Sequence, residues 1–326
     1  MSRKSLFFLC LGAVSVYLLY EVSAWGFDWS LFLKSLRNVQ PGWLAVSILA
    51  TMLTYVARAF RWQVLLNRLK SVGMGPLIST NVLGFSAIFL LGRAGEVVRP
   101  LWLTRQERIP LTASVATVIV ERVLDTLMLL MLFGVALVAV QLPSATEHSV
   151  AVAKMKETAW LMVALSTAGI LFLFFFRSKI EWIVSYVPFA KVRSLLKNFS
   201  SGLAFLDRTS SFGLALAHTF VVWIVIVLQF WFMLLGMNFR FSVAAATLVM
   251  VGAAVGSVAQ LPGIGGGFQA LYIFCMTTFL NVPTEHASAS ALIAWISQLV
   301  PTVLAAGLYM ISHGLSLKDL RTATAE

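Results

Sequence analysis

Six ionisable side chains gather where apolar residues otherwise dominate: Arg93, Glu96 and Arg99, then Glu121, Arg122 and Asp125. Residues three or four apart share a helix face. Helical spacing can therefore flank Glu96 with Arg93 and Arg99, bring Arg122 to Asp125, and place Glu121 and Asp125 on one side. A guanidinium offers a fork of donors that grips a phosphate or carboxylate through two bonds, which a lysine ammonium cannot do. At bilayer depth a charged side chain costs about 2.5 to 3.5 kcal/mol on insertion scales, and it persists where it is paired or functional. One reading is a set of ion pairs that fix helix packing near a membrane surface, as Glu107 and Arg108 suggest. The other is a cavity whose arginines hold a lipid phosphate while the carboxylates organise them. The second is preferred, because three acids and three bases exceed what packing requires and they adjoin a glycine break.

Two glycine breaks must position this chemistry. The first lies in LGRAGEVVRP, residues 91–100, with Gly92 and Gly95, and the second in LPGIGGGFQA, residues 261–270, with Pro262, Gly263, Gly266 and Gln269. Backbone freed from helical bonding cannot face lipid, so each break must be buried against protein or line a wet cavity. Half-helix N-termini at such breaks present amide groups to an anion. These six residues therefore join the charged six as candidate substrate-binding positions.

Composition sets the surroundings. Of 326 residues, 60% are hydrophobic and 11% charged, which excludes an ordinary soluble domain and leaves one integral membrane domain over 1–326. The net charge of +11 is spread in short clusters between apolar runs, so membrane head groups and not nucleic acid are the expected partner. Apolar segments fall at 5–20, 42–57, 77–91, 111–141, 158–176, 213–235, 242–261, 264–280 and 286–312. The first resembles a signal peptide, but in a chain with many later spans it is expected to stay as an anchor. Cations cluster near Arg3, at Arg58 to Lys70, at Arg177 to Arg208 and near Lys318, which puts both termini in the cytoplasm of a bacterial inner (plasma) membrane.

That charge pattern closes only if 77–105 and 242–280 each enter and leave on one side. The expected fold is thus an all-α polytopic transmembrane helix bundle, with about six full spans and two re-entrant helical hairpins. TNVLGFSAIFLLGRAGEVVRPLWL from Thr80 and TLVMVGAAVGSVAQLPGIGGGFQALYIF from Thr247 repeat one order of small-rich run, glycine break and second run. Gly92 aligns with Gly263, and Gly95 with Gly266. The half-repeats, about 40–141 and 210–312, would be inverted copies meeting near the midplane. Arg58 to Lys70 and 180–206 read as interfacial helices on the cytoplasmic leaflet.

Other signals are weak. His148, His218, His286 and His313 are scattered without HxxxH or HExxH spacing, Cys10 and Cys275 lie in separate apolar segments, and no nucleotide or GxSxG motif is present. No metal, cofactor or disulfide is expected.

On RAFRWQVLL at 58–66, LGRAGEVVRP at 91–100, ERVLD at 121–125 and LPGIGGGFQA at 261–270, the chain resembles the transmembrane region of lysylphosphatidylglycerol synthase, a family of flippase-like membrane proteins. Where that family usually has PGRxGE and a later Glu, this sequence has Leu91 and Gln269, so ion coupling at Gln269 is not expected. The resemblance implies movement or handling of an anionic phospholipid or lipid-linked precursor. Two-domain relatives add a soluble aminoacyl transferase domain that this sequence does not show, so synthesis of the aminoacylated lipid by this chain alone is not expected. Two alternatives remain open: a membrane-embedded lipid-modifying transferase with Glu121 or Asp125 as base, and an accessory subunit docking a separate transferase through the basic 177–208 segment.

Overall fold

A computed structural model describes residues 26–140, 150–176 and 209–315. The apolar run 5–20, the 177–208 segment with its expected interfacial helix, and the basic residues after 315 lie outside the described residues.

Helix starts follow local chemistry. Asp28 caps α1 (Trp29–Arg37), its Oδ1 accepting the Ser30 and Leu31 amides at 2.9 and 3.1 Å. Pro41 opens α2 (Pro41–Leu66), where a missing amide hydrogen costs nothing. The chain continues through α3 (Met74–Leu91), a tight turn over Gly92–Val97, α4 (Val98–Glu107), α5 (Leu111–Ala139) and α6 (Val150–Phe176). From residue 209 onward come α7 (Thr209–Gly236), α8 (Val243–Gly256), α9 (Gly267–Thr278) and α10 (Thr284–Ser312). Ser242 caps α8 through its hydroxyl to the Ala245 amide. The protein is an all-α polytopic bundle, and its long helices α2, α5, α7 and α10 carry the length and apolar composition of membrane spans.

The stretch from Met74 to Glu107 also has enough apolar residues for a crossing, yet it folds back on itself. Lys70, just before α3, pairs with Glu107 at the end of α4 at 2.6 Å, so both ends of the hairpin emerge together. Gly84 and Gly95 make the fold possible. A Cβ on Gly84 would stand 2.8 Å from the Cβ of Arg99, and one on Gly95 would collide with the backbone of Ala87. At about 1.5 Å per residue α4 is about 15 Å long, half of a hydrocarbon core. The second hairpin, α8 and α9, closes in the same way: Gly256 abuts the backbone of Gly267, and Gly252 abuts Cys275.

The hairpins enter from opposite ends of the bundle. Helices α2 and α7 run antiparallel, with the Gln40 amide on the Gly236 carbonyl at 2.8 Å and Phe60 beside His218 further along. The first hairpin follows the Leu66 end of α2, and the second follows the Gly236 end of α7. Their tips touch. The second tip is a two-residue antiparallel ribbon pairing Gln260 with Gly266 and Leu261 with Gly265. From it the Gly263 amide donates to the Phe89 carbonyl at 2.9 Å and the Gln260 amide side chain to the Ile88 carbonyl at 3.3 Å. Both acceptors sit in the last turn of α3, where helical geometry leaves carbonyls without partners.

One expectation is corrected here. Arg58 to Lys70 is not an interfacial helix: α2 runs on to Leu66, and Arg58, Arg61, Trp62 and Leu65 are buried. The reason is the pair of carboxylates waiting on α5, which lets two guanidiniums leave water.

Candidate functional site

Five polar residues on α2, Ser47, Thr51, Thr54, Arg58 and Arg61, recur at spacings of three and four and therefore form one stripe along a largely apolar helix. All five are buried. The stripe faces α5 and α7. Arg61, with no solvent exposure, donates to Asp125 at 2.5 and 3.3 Å and to Glu121 at 3.3 Å. Glu121 also accepts two bonds from Arg99, at 2.5 and 3.1 Å. The Arg99 guanidinium lies over the Trp62 ring, 4.1 Å from its centroid. Asp125 Oδ1 takes a further bond from the Trp223 indole at 3.0 Å. Each carboxylate thus serves as acceptor to several donors, as a charge sealed from water must.

In front of this network lies a cavity of about 370 Å³. Arg58, Arg93, Glu96, Arg122 and Asp125 line it, together with Thr51, Thr54, three glutamines and a set of aromatic rings that includes Phe85, Trp223 and Trp295. Both hairpins contribute, through Ile88, Phe89 and Arg93 from the first and Ser257 and Gln260 from the second. Arg58 stands over the Phe85 ring, 4.8 Å from its centroid, and its Nη1 comes within 3.5 Å of Asp125 Oδ2. Among the described residues, its Nε and Nη1 make no hydrogen bond, and neither does Arg122 Nε. Among the described residues, no three His, Cys, Asp or Glu side chains gather as a metal cluster.

The twelve positions singled out in the sequence divide into four groups. Arg93, Glu96, Arg122 and Asp125 line the cavity. Arg99 and Glu121 stand behind it as a buried pair. Gly92, Gly95, Pro262, Gly263 and Gly266 shape the two tips and lie outside the lining. Gln269 folds back onto its own loop, donating to the Ile264 carbonyl at 3.0 Å, and is also outside the lining. Arg93 does pair with Glu96, but Arg99 turns to Glu121 instead, and Asp125 takes its cations from α2. In the internal alignment, Gly92 and Gly263 share a positive φ, at 65° and 70°, whereas of Gly95 and Gly266 only Gly266 does.

A family model described as the lysylphosphatidylglycerol synthase TM region matches residues 6–306. The chain belongs to that family. It is similar to a UPF0104 membrane protein of Methanocaldococcus jannaschii, with 22% identity across 83% of this chain and 85% of the relative. No solved structure matches. Within this member of the synthase transmembrane-region family, the residues that sequence reasoning missed are Arg58 and Arg61. The signal was present: their spacing of three continues the Ser47, Thr51, Thr54 stripe.

Proposed function

We propose that this protein translocates an anionic phospholipid or lipid-linked precursor, with the cavity between the hairpin tips as the compartment for its head group. The observation that carries the reading is Arg58, a 7% exposed residue that lines the cavity and whose guanidinium, among the described residues, leaves two covered nitrogens, Nε and Nη1, without a hydrogen bond. A buried donor without an acceptor is costly, and an entering anion relieves it. Head-group passage also needs a path that opens to each side in turn. Two hairpins entering from opposite ends, joined at their tips by two hydrogen bonds, are suited to alternate in this way if residues 40–141 and 210–312 act as inverted half-repeats.

The reading carries an orientation, with both termini on the cytoplasmic side of an inner membrane, because Lys and Arg in short loops favour that side. It is tested in reconstituted vesicles with acyl-labelled phosphatidylglycerol, by following quenching of label that reaches the outer leaflet. Arg93→Ala and Glu96→Ala should slow transfer while leaving the melting profile intact. Unchanged rates in both variants would remove the cavity from the transport path.

A further inference from the structure

We infer that the cavity selects a phosphate ester whose remaining head group is neutral and hydroxylated, a glycerol or a sugar, and turns away a head group bearing an ammonium. This rests on the cavity being the head-group compartment. The first support is the state of the charges. Both carboxylates in the lining are already engaged: Glu96 is bound by Arg93, and Asp125 receives Arg61 and Trp223, with Arg58 alongside. An entering ammonium finds, among the described residues, no unengaged carboxylate in the lining. It also meets Arg58, Arg93 and Arg122 against only those two acids. A phosphate meets the opposite situation: three lining guanidiniums outnumber the two acids, and among the described residues Arg58 Nε and Nη1 and Arg122 Nε make no hydrogen bond, covered atoms that a phosphate reaches as these side chains turn toward it. The fork geometry of two guanidiniums suits phosphate oxygens.

The neutral part of the lining supplies the second support. Thr51 and Thr54 spend their hydroxyl hydrogens on the Ser47 and Ala50 carbonyls, at 3.1 and 3.0 Å, which leaves their oxygens only as acceptors. Gln298 and Gln260 each donate one amide hydrogen to the Ala294 and Ile88 carbonyls, leaving a carbonyl oxygen to accept and a second N–H to donate. Neutral groups that both accept and donate match the hydroxyls of a polyol, which do the same. Trp223 and Trp295 add aromatic walls for its C–H faces. Of the rings in the lining, Phe85 is already covered by the Arg58 guanidinium.

The test compares acyl-labelled phosphatidylglycerol, lysylphosphatidylglycerol and phosphatidylcholine in two assays, retention on the detergent-purified protein by native mass spectrometry and transfer in reconstituted vesicles. Phosphatidylglycerol should be favoured over lysylphosphatidylglycerol by about tenfold, the ratio that about 1.4 kcal/mol of selectivity gives. Arg58→Gln should erase that preference. Arg122→Gln should do the same from a partly exposed position, with melting profiles as the control for folding. Equal or better retention of lysylphosphatidylglycerol or phosphatidylcholine by the wild type overturns the inference. Selective retention without transfer supports the inference and removes the transport reading, whereas transfer without selectivity removes the inference alone.

Discussion

Glu121→Gln isolates the network behind the cavity, because Glu121 has no solvent exposure and does not line the cavity. Its carboxylate accepts two bonds from Arg99 and one from Arg61. Arg61 would keep Asp125, so the damage falls on Arg99, which is 2% exposed and pairs with no other carboxylate in the network. A glutamine would also turn an amide N–H toward guanidinium donors. Leaving one charge of a buried pair uncompensated costs about 3 to 5 kcal/mol. Lys70→Ala is the control: its partner is Glu107 in a half-exposed pair, worth about 0.2 to 1 kcal/mol. Stability is to be read from unfolding titrations in mixed detergent, with thiol labelling of buried Cys275 as the reporter in a Cys10→Ser background. Arg99→Met combined with Glu121→Leu should recover most of the loss, since an apolar pair needs no acceptor. A Glu121→Gln protein as stable as Lys70→Ala would refute the reasoning that Arg99 depends on Glu121 as its buried partner.

Two further outcomes are expected. Gly95→Ala and Gly256→Ala, each of which drives a methyl into the backbone of the facing arm, should lower stability in the same titration by about 1 to 3 kcal/mol or more; Gly307→Ala, with open space around it, should be neutral or slightly stabilising. The Asp28 carboxyl is held below its ordinary range, chiefly by the Ser30 hydroxyl and then by the Leu31 amide. Its cap on α1 is therefore complete above the usual carboxylate value of about 3.9 and is lost as pH falls through the depressed folded value. Protection factors of the Ser30 and Leu31 amides should drop in that window, and Asp28→Asn, which caps without titrating, should abolish the drop.

The hairpins were legible because glycine breaks and loop charges are local properties of the chain. Gly92 and Pro262 to Gly266 mark where helices must stop, and the basic clusters demand that each interrupted stretch return to its own side. Ion pairing was less legible. Spacing of three along one helix predicts Arg93 with Glu96, and that pair forms, because both residues share one tight turn. The same rule predicts Arg99 with Glu96 and Arg122 with Asp125, and there it fails. Once Gly84 lets α4 lie against α3, Arg99 is buried and finds the carboxylate on α5, a relation between helices that no local spacing encodes. Arg58 and Arg61 were misread for a related reason. The apolar run ends at Ala57, and cations beyond a span normally mark the interface. Only the polar stripe from Ser47 onward hints that the same face continues inward.

The division between a closed network and an open lining explains why the charges exist at all. Packing alone does not call for Arg61, Arg99 and Glu121, since apolar side chains of similar volume commonly stabilise a core as well or better. Their effect is positional. By saturating Asp125 Oδ1 with Arg61 and Trp223, the network leaves that carboxylate able to approach Arg58 only at 3.5 Å through Oδ2. Arg58 is therefore held near an acid without being satisfied by it, and two of its nitrogens remain unbonded. Neutralising Asp125 would release Arg58 and Arg61 together, whereas neutralising Glu121 would strand Arg99 and leave the Arg58 donors in place. On the proposed reading, neutralising Glu121 should therefore cost stability and spare anion selectivity, whereas neutralising Asp125 should cost both, though the two acids stand one helical turn apart on the same face of α5.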